Sequence, residues 1–181
     1  MLGVRTRPHA QAEEVTISPL APDEGLALEE VFAGLSSDSR FARYHTGTPT
    51  LPSGVKTLLR RVDGVGVVAQ VARGPTGAAI GLVWVIQTGD YRAELAIEVV
   101  DAWQGRGVGS RLVRAAELTA AVGGIKSLRA EVLGTNRAAK CLLNKVAPHA
   151  TVTREGPELI FEWEPAIGSR PLHAGTSFSA A

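Results

Sequence analysis

Gln104-Gly105-Arg106-Gly107-Val108-Gly109 is the stretch on which the fold of this chain turns. It falls between a run with strand alternation, 92–100, and an amphipathic run, 110–122. The second run carries Leu112, Val113, Ala116 and Ala120 on one side and stops at Gly123-Gly124. Successive glycines let the backbone turn several N–H groups toward one point, and the helix that follows adds the positive end of its dipole. A loop of this build binds phosphate. Arg106 would add charge and Ser110 a hydroxyl donor. Two better-known phosphate loops do not fit. A P-loop needs a lysine after its last glycine, and none occurs here. A dinucleotide fingerprint needs its third glycine at position 110, which is Ser110, and an acidic residue some 20 positions on, where Gly124 stands.

Outward from the loop, alternating and helical spacings follow one another in a definite order. Upstream, 15–18 reads as a short strand. A helix is predicted over 22–35, with Pro22 at its start, Asp23 and Glu24 in its first turn, and Leu28, Val31, Phe32 and Leu35 at helical spacing. A second short helix over 36–44 has Ser36 or Ser37 as cap. Residues 46–54 form a loop rich in Pro, Gly and Thr, and 55–61 a further helical turn or two. Strands are predicted over 67–72 and 79–88 around the turn Gly74-Pro75-Thr76-Gly77, which makes them an antiparallel hairpin. Downstream come a strand over 127–133, a helix over 136–146, and strands over 150–154 and 158–164 around Glu155-Gly156-Pro157. The order describes one α/β domain, a mixed sheet with helices on its faces. It spans 15–164, between a loose polar arm, 1–14, and a flexible tail, 165–181, rich in Gly, Ser, Pro and Ala.

Composition narrows the partners. The 181 residues carry a formal net charge of +1, which argues against whole-chain attraction to nucleic acid or membrane. The charge is uneven: 1–39 holds two basic and seven acidic residues, and 40–145 holds fifteen basic and seven acidic. The basic middle suits an anionic ligand. No window holds the roughly 18 apolar residues of a membrane helix, and a single cysteine, Cys141, allows no internal disulfide. A cytoplasmic protein is expected. His9, His45, His149 and His173 have no metal-ligand spacing, so no metal is expected. Cys141 itself reads as a small buried residue, and Trp84, Trp103 and Trp163 as core or sheet-edge residues.

The segment Gln-x-x-Gly-x-Gly, here Gln104 to Gly109, resembles the acetyl-CoA motif of the GNAT superfamily of acyl-CoA N-acyltransferases. Its surroundings agree: Ile97-Glu98-Val99 leads into the loop, and the next strand leads to Asn136-Arg137-Ala138-Ala139 at the head of a helix. The likeness covers 15–164. A closer one is visible in Leu35-Ser36-Ser37-Asp38-Ser39-Arg40-Phe41-Ala42-Arg43-Tyr44, in Ala93-Glu94-Leu95-Ala96, and in Val99, Asp101, Trp103 and Gln104. These resemble bacterial Pat-type GNAT domains, the protein lysine acetyltransferases and their relatives.

What the resemblance implies is specific. The fold would be a mostly antiparallel sheet flanked by helices, splayed between the strand before the loop and the strand after its helix, with CoA in the wedge. The pyrophosphate would lie on the amides of Gln104, Gly105, Arg106, Gly107, Val108, Gly109 and Ser110. Pantetheine would pair like an extra strand with the backbone of Ile97, Glu98 and Val99, and Asn136 would contact the cofactor. The activity would be acetyl transfer from acetyl-CoA, as co-substrate, to a protein lysine or small-molecule amine. Dimers are common among relatives. A lysine amine has a pKa near ~10.4, so a base helps the reaction, directly or through water. Glu94, at the position of the Pat-type glutamate, is the first candidate. Glu98 is the second, at a position where the family usually has an uncharged residue. Strand alternation puts Glu94, Ala96 and Glu98 on one face and Leu95, Ile97 and Val99 on the other. The tyrosine that many relatives use to protonate the thiolate has no counterpart: its position falls near Leu143. The competing expectation is a CoA-binding sensor or interaction module without turnover. A succinyl donor would call for basic side chains around the acyl end.

Overall fold

A computed structural model describes residues 15–166. The expected arm, 1–14, and nearly all of the expected tail, from 167 on, lie outside the described residues. Among the described residues there are seven strands: β1 (Thr16–Pro19), β2 (Val67–Arg73), β3 (Ala79–Gly89), β4 (Arg92–Val99), β5 (Ser127–Leu133), β6 (Thr151–Glu155) and β7 (Glu158–Trp163). They form one sheet in the order β1-β2-β3-β4-β5-β7-β6. Only β4 and β5 run parallel; every other neighbouring pair is antiparallel. Five helices cover the faces: α1 (Gly25–Ala33), α2 (Ser37–Tyr44), α3 (Ser53–Leu59), α4 (Val108–Val122) and α5 (Arg137–Val146). This is the mixed, mostly antiparallel architecture expected.

The middle of the sheet is apolar on both faces. β3 is buried without a break from Ala79 to Val85, as a central strand covered by helices on both sides must be. One core joins Val83, Val85 and Leu95 to Leu112, Val113 and Ala116 of α4 and Leu143 of α5. The other joins Leu82 and Trp84 to Leu28 and Val31 of α1 and Leu59 of α3. At the far side, Trp163 Nε1 donates to Glu117 Oε1 at 2.8 Å and ties β7 to α4. Burial pushes the Glu117 carboxyl above the usual carboxylate range.

Several element ends differ from the expected ones, each for a local reason. α1 starts at Gly25 rather than at position 22. Glu24 is its cap residue, and its carboxylate folds back to accept from Ala21 N at 2.7 Å and pairs with Arg73, so no acid lies in the first turn. α4 starts at Val108, earlier than expected, because Gly107 adopts a left-handed φ of 86° and ends the loop there. Asp101–Trp103 forms a single 3-10 turn that the sequence pattern does not announce. Cys141 is exposed rather than buried. Leu143 is the buried residue of α5, and two residues at about 100° each carry Cys141 to the helix's outer side.

Leu112, fully buried between α4 and the sheet, gives a direct check of this packing. Leu112→Ala should lower the unfolding free energy by about 2–5 kcal/mol. Urea denaturation measures it, and a loss below about 1 kcal/mol would contradict the described seat of α4.

Candidate functional site

The sheet opens at its parallel pair. β4 and β5 are registered only at Arg92↔Ser127, Ala93↔Leu128 and Glu94↔Arg129. Past Glu94, β4 continues to Val99 with its other edge still on β3, as far as Gly81↔Val99. β5 meanwhile continues to Leu133 on β7. The edge of β4 that faces β5 is therefore unpaired over 95–99. By alternation from Val100 N, which donates to Ile80 O on β3, the backbone of Glu98 faces β3, while that of Ile97 and the N–H of Val99 face the gap; Val99 O accepts from Gln104.

Gln104 to Gly109 closes the head of this wedge. Gly105 and Gly107 have φ of 71° and 86°, a region that residues with a Cβ adopt only with strain. Gly107 is the cap of α4 and supplies no side-chain hydrogen bond, so the first-turn N–H groups have no cap from it. Gly109 serves another need: a Cβ there would sit 3.1 Å from Leu142 Cδ2, and its absence lets the first turn of α4 approach α5. Val108 is buried and anchors that turn, and Ser110 is half-buried beside it. The guanidinium of Arg106 lies over the Trp103 ring at 5.2 Å. Gln104 Nε2 donates to Val99 O at 3.0 Å, Asp101 Oδ1 at 3.2 Å and Ser39 Oγ at 3.4 Å, which braces the loop against α2. Asn136 caps α5: its Oδ1 accepts from Ala139 N at 3.0 Å. Loop, helix head and open strand edge thus surround one space, with amides for an anion at one end and free backbone for an extended chain along the side.

The two candidate carboxylates share the α1–α2 face of β4, as the alternation predicts, but in different settings. Glu94 lies opposite Ile86 on β3 and Arg129 on β5, the last paired position before the wedge. It is half-buried and makes no hydrogen bond or ion pair among the described residues. Arg129 is turned away toward Glu131 and Glu155. Glu98 is buried, its side chain only 2% exposed. Its Oε2 accepts from Arg43 Nε at 2.8 Å and from Tyr44 Oη at 3.0 Å, and its Oε1 from Trp84 Nε1 at 3.2 Å.

Sequence patterning missed this cluster. Arg40 and Arg43 are legible as neighbours on one helix face, but nothing local says that Arg43 reaches Glu98, 55 positions away. The C-cap of α2 is also held: His45 Nδ1 lies 3.2 Å from Glu158 Oε1 on β7. α2 therefore bridges the wedge, from β4 on one side to β7 on the other. Burial, then the Glu98 carboxylate, pushes the Tyr44 hydroxyl well above the usual phenol range. A tyrosine held protonated in this way is a hydrogen-bond donor and a poor acid. Leu143 is buried in the core. A shallow groove of about 570 Å³ lined by Arg60, Arg61, Asp63 and Gln87 lies elsewhere and includes none of these residues. Among the described residues, no group of three or more His, Cys, Asp or Glu could hold a metal, and no helix is long and apolar enough to cross a membrane.

Comparison with known proteins agrees with this geometry. The model of the acetyltransferase (GNAT) family matches residues 32–146. Among solved structures, the GNAT domain of Streptomyces lividans PAT is 26% identical, with 83% of this chain and 90% of that one covered and a TM-score of 0.74. The Salmonella typhimurium protein YncA, solved with its cofactor acetyl-CoA, is similar in fold at 16% identity, 87% and 98% coverage and a TM-score of 0.68. A cAMP-binding acyltransferase from Mycobacterium smegmatis is 22% identical over 84% of this chain, with a TM-score of 0.57. This chain spans 44% of that one. No curated protein matches at a significant level.

The shifted hydroxyl can be read directly. Phenolate absorbance near 295 nm assigned to Tyr44, as the difference between the native protein and Tyr44→Phe, should appear only well above the ordinary value of about 10. The folded state holds this proton more tightly than the unfolded one. The stability that this proton contributes is therefore fully present below pH ~10 and is lost as pH rises from there through the raised folded-state value. A Tyr44 step at or below pH ~10 in the folded protein would contradict the buried pairing.

Proposed function

The chain belongs to the GNAT acetyltransferase family, and from that premise we propose that it binds acetyl-CoA in the wedge between β4 and β5 and transfers the acetyl group to an amine. The observation that carries this is the junction of two features: a strand edge left unpaired over 95–99 leads, through one turn and the glycine loop, to a glycine-led helix start without a side-chain cap. An anion bound at the α4 head is stabilised by its N–H groups and dipole. These are the amides of Gln104 through Ser110, with Arg106 beside them. An extended pantetheine arm runs along Ile97, Glu98 and Val99 and pairs with the backbone groups there that face the gap, and the side-chain amide of Asn136 reaches the cofactor from the head of α5. The family fold and the acetyl-CoA solved with the Salmonella protein both support this placement.

The chemistry then divides between the two carboxylates. The acceptor amine, of a protein lysine or a small molecule, attacks the thioester carbonyl. The C–N bond forms, the C–S bond breaks, and the amine's proton leaves toward a base. Glu94 is that base: its carboxylate is unengaged and lies at the mouth of the wedge. About 13 Å of strand separates it from Glu98, so the proton travels through water. Glu98 accepts three hydrogen bonds and holds α2 rather than moving a proton. The thiolate takes its proton from water, since Tyr44 is pushed the wrong way to be an acid and α5 has no tyrosine.

Calorimetric titration with acetyl-CoA and with free CoA tests the cofactor. Micromolar binding is expected, and a folded protein that binds neither would refute the proposal. Gly107→Glu should abolish that binding by placing bulk and negative charge where phosphate sits. Glu94→Gln should lower turnover by roughly 10²–10⁴-fold with CoA binding little changed. Loss within a few-fold would move the role of base elsewhere and favour the reading of a CoA-binding module if no other base is near.

A further inference from the structure

The Glu98 cluster lies on the splayed part of β4, beside the backbone where the acyl end of a bound thioester would be held. A carboxylate with 2% exposure and a guanidinium with 25% are an unusual pair to place there. Past Glu94 the other residues of β4 are apolar, and at position 98 an aliphatic side chain would pack against Leu82 and Trp84 at no desolvation cost. Without Glu98, Arg43 would point a bare positive charge at this part of the wedge. The other cation on α2, Arg40, makes contacts of its own. It donates to Phe32 O at 3.1 Å and Pro49 O at 3.5 Å and lies over the Phe32 ring at 4.2 Å.

We propose that Glu98 is a specificity-determining residue: by neutralising Arg43 it leaves the acyl end of the wedge without net positive charge, and so selects acetyl over dicarboxylic acyl groups such as succinyl. The proposal rests on the placement of acyl-CoA in the wedge. A succinyl group carries a carboxylate. Burying it beside the Glu98–Arg43 pair would set it against a like charge, at a place where Arg43 Nε, the Tyr44 hydroxyl and Trp84 Nε1 already donate to Glu98. An acetyl methyl needs no such partner and pays no such penalty. Removing the carboxylate of Glu98 frees three donors and one full positive charge at the same place, which is the recognition chemistry an anionic acyl group requires.

The test measures dissociation constants by calorimetry for acetyl-CoA, succinyl-CoA and free CoA, with free CoA as the reference for everything but the acyl end. In the native protein, acetyl-CoA should bind more tightly than succinyl-CoA. Glu98→Gln should shift the ratio of the two constants toward succinyl-CoA by at least about tenfold, within the range of one close charge pair, while free CoA changes little. Adding Arg43→Gln to that variant should return the ratio to near the native value. A merely structural role would weaken all three ligands together. If Glu98→Gln does not fold, Glu98→Val removes the same charge with a side chain suited to the strand, and the same shift is expected. A ratio within twofold of native in the folded variant, or a native protein that takes succinyl-CoA as readily as acetyl-CoA, overturns the proposal. If neither acyl-CoA nor free CoA binds the native protein, the placement in the wedge fails first. Binding of acetyl-CoA with an unchanged ratio leaves that placement intact and sinks only the role of Glu98.

Discussion

The site depends on an unfinished ladder. β4 pairs with β5 for three residues and then leaves it, so a run of backbone N–H and C=O groups faces a gap in the middle of the sheet. Buried backbone groups of this kind are almost always satisfied. A sheet can tolerate the break only where water or a ligand takes the place of the missing strand. The break also spreads the two strands enough for α4 and α5 to bring their N-terminal ends over the same gap. The direction of β4 is parallel to β5, so the loop that follows β4 opens at the end where the strands part. Loop, helix start and free edge coincide for that topological reason.

The same gap creates a mechanical need on the other face. With no β5 ladder past Glu94, the end of β4 must be held by β3 and by whatever packs above it. The C-terminal end of α2 does this, through Arg43 and Tyr44 on Glu98 and through His45 on Glu158 of β7. Gln104 adds a brace from the loop to Ser39. A buried charge pair is rarely a net gain in stability over apolar packing. Its presence at this point, in a strand that otherwise buries aliphatic side chains, fits a role in shaping the charge of the cleft. It also leaves Glu94, four residues back and outside the bridge, as the carboxylate with a view of solvent.

Much of this was legible in one dimension because it is written in local spacing. The glycines at 105, 107 and 109, the alternation over 92–99 and the Ser36 cap each depend on residues within a few positions of one another, and the structure shows each in place. The start of α1 is displaced because a side-chain contact from afar, Arg73 on Glu24, fixes the cap, whereas that of α4 is set by the left-handed Gly107. Cys141 was misjudged for a similar reason: α5 has a narrow buried stripe, and its phase is set by how the helix docks on the sheet.

The sequence by itself determined the loop, the order of strands and helices, the apolar faces that drive them together, and that two glutamates share one face of β4. Those are properties of backbone dihedrals and of periods of 2 and 3.6 residues, which a linear pattern records. Only the tertiary structure decided where β4 leaves β5, and that one glutamate is engaged while the other is open. Those outcomes turn on contacts between residues such as Arg43 and Glu98, 55 positions apart, whose meeting is set by the packing of α2 across the sheet rather than by anything either segment carries alone.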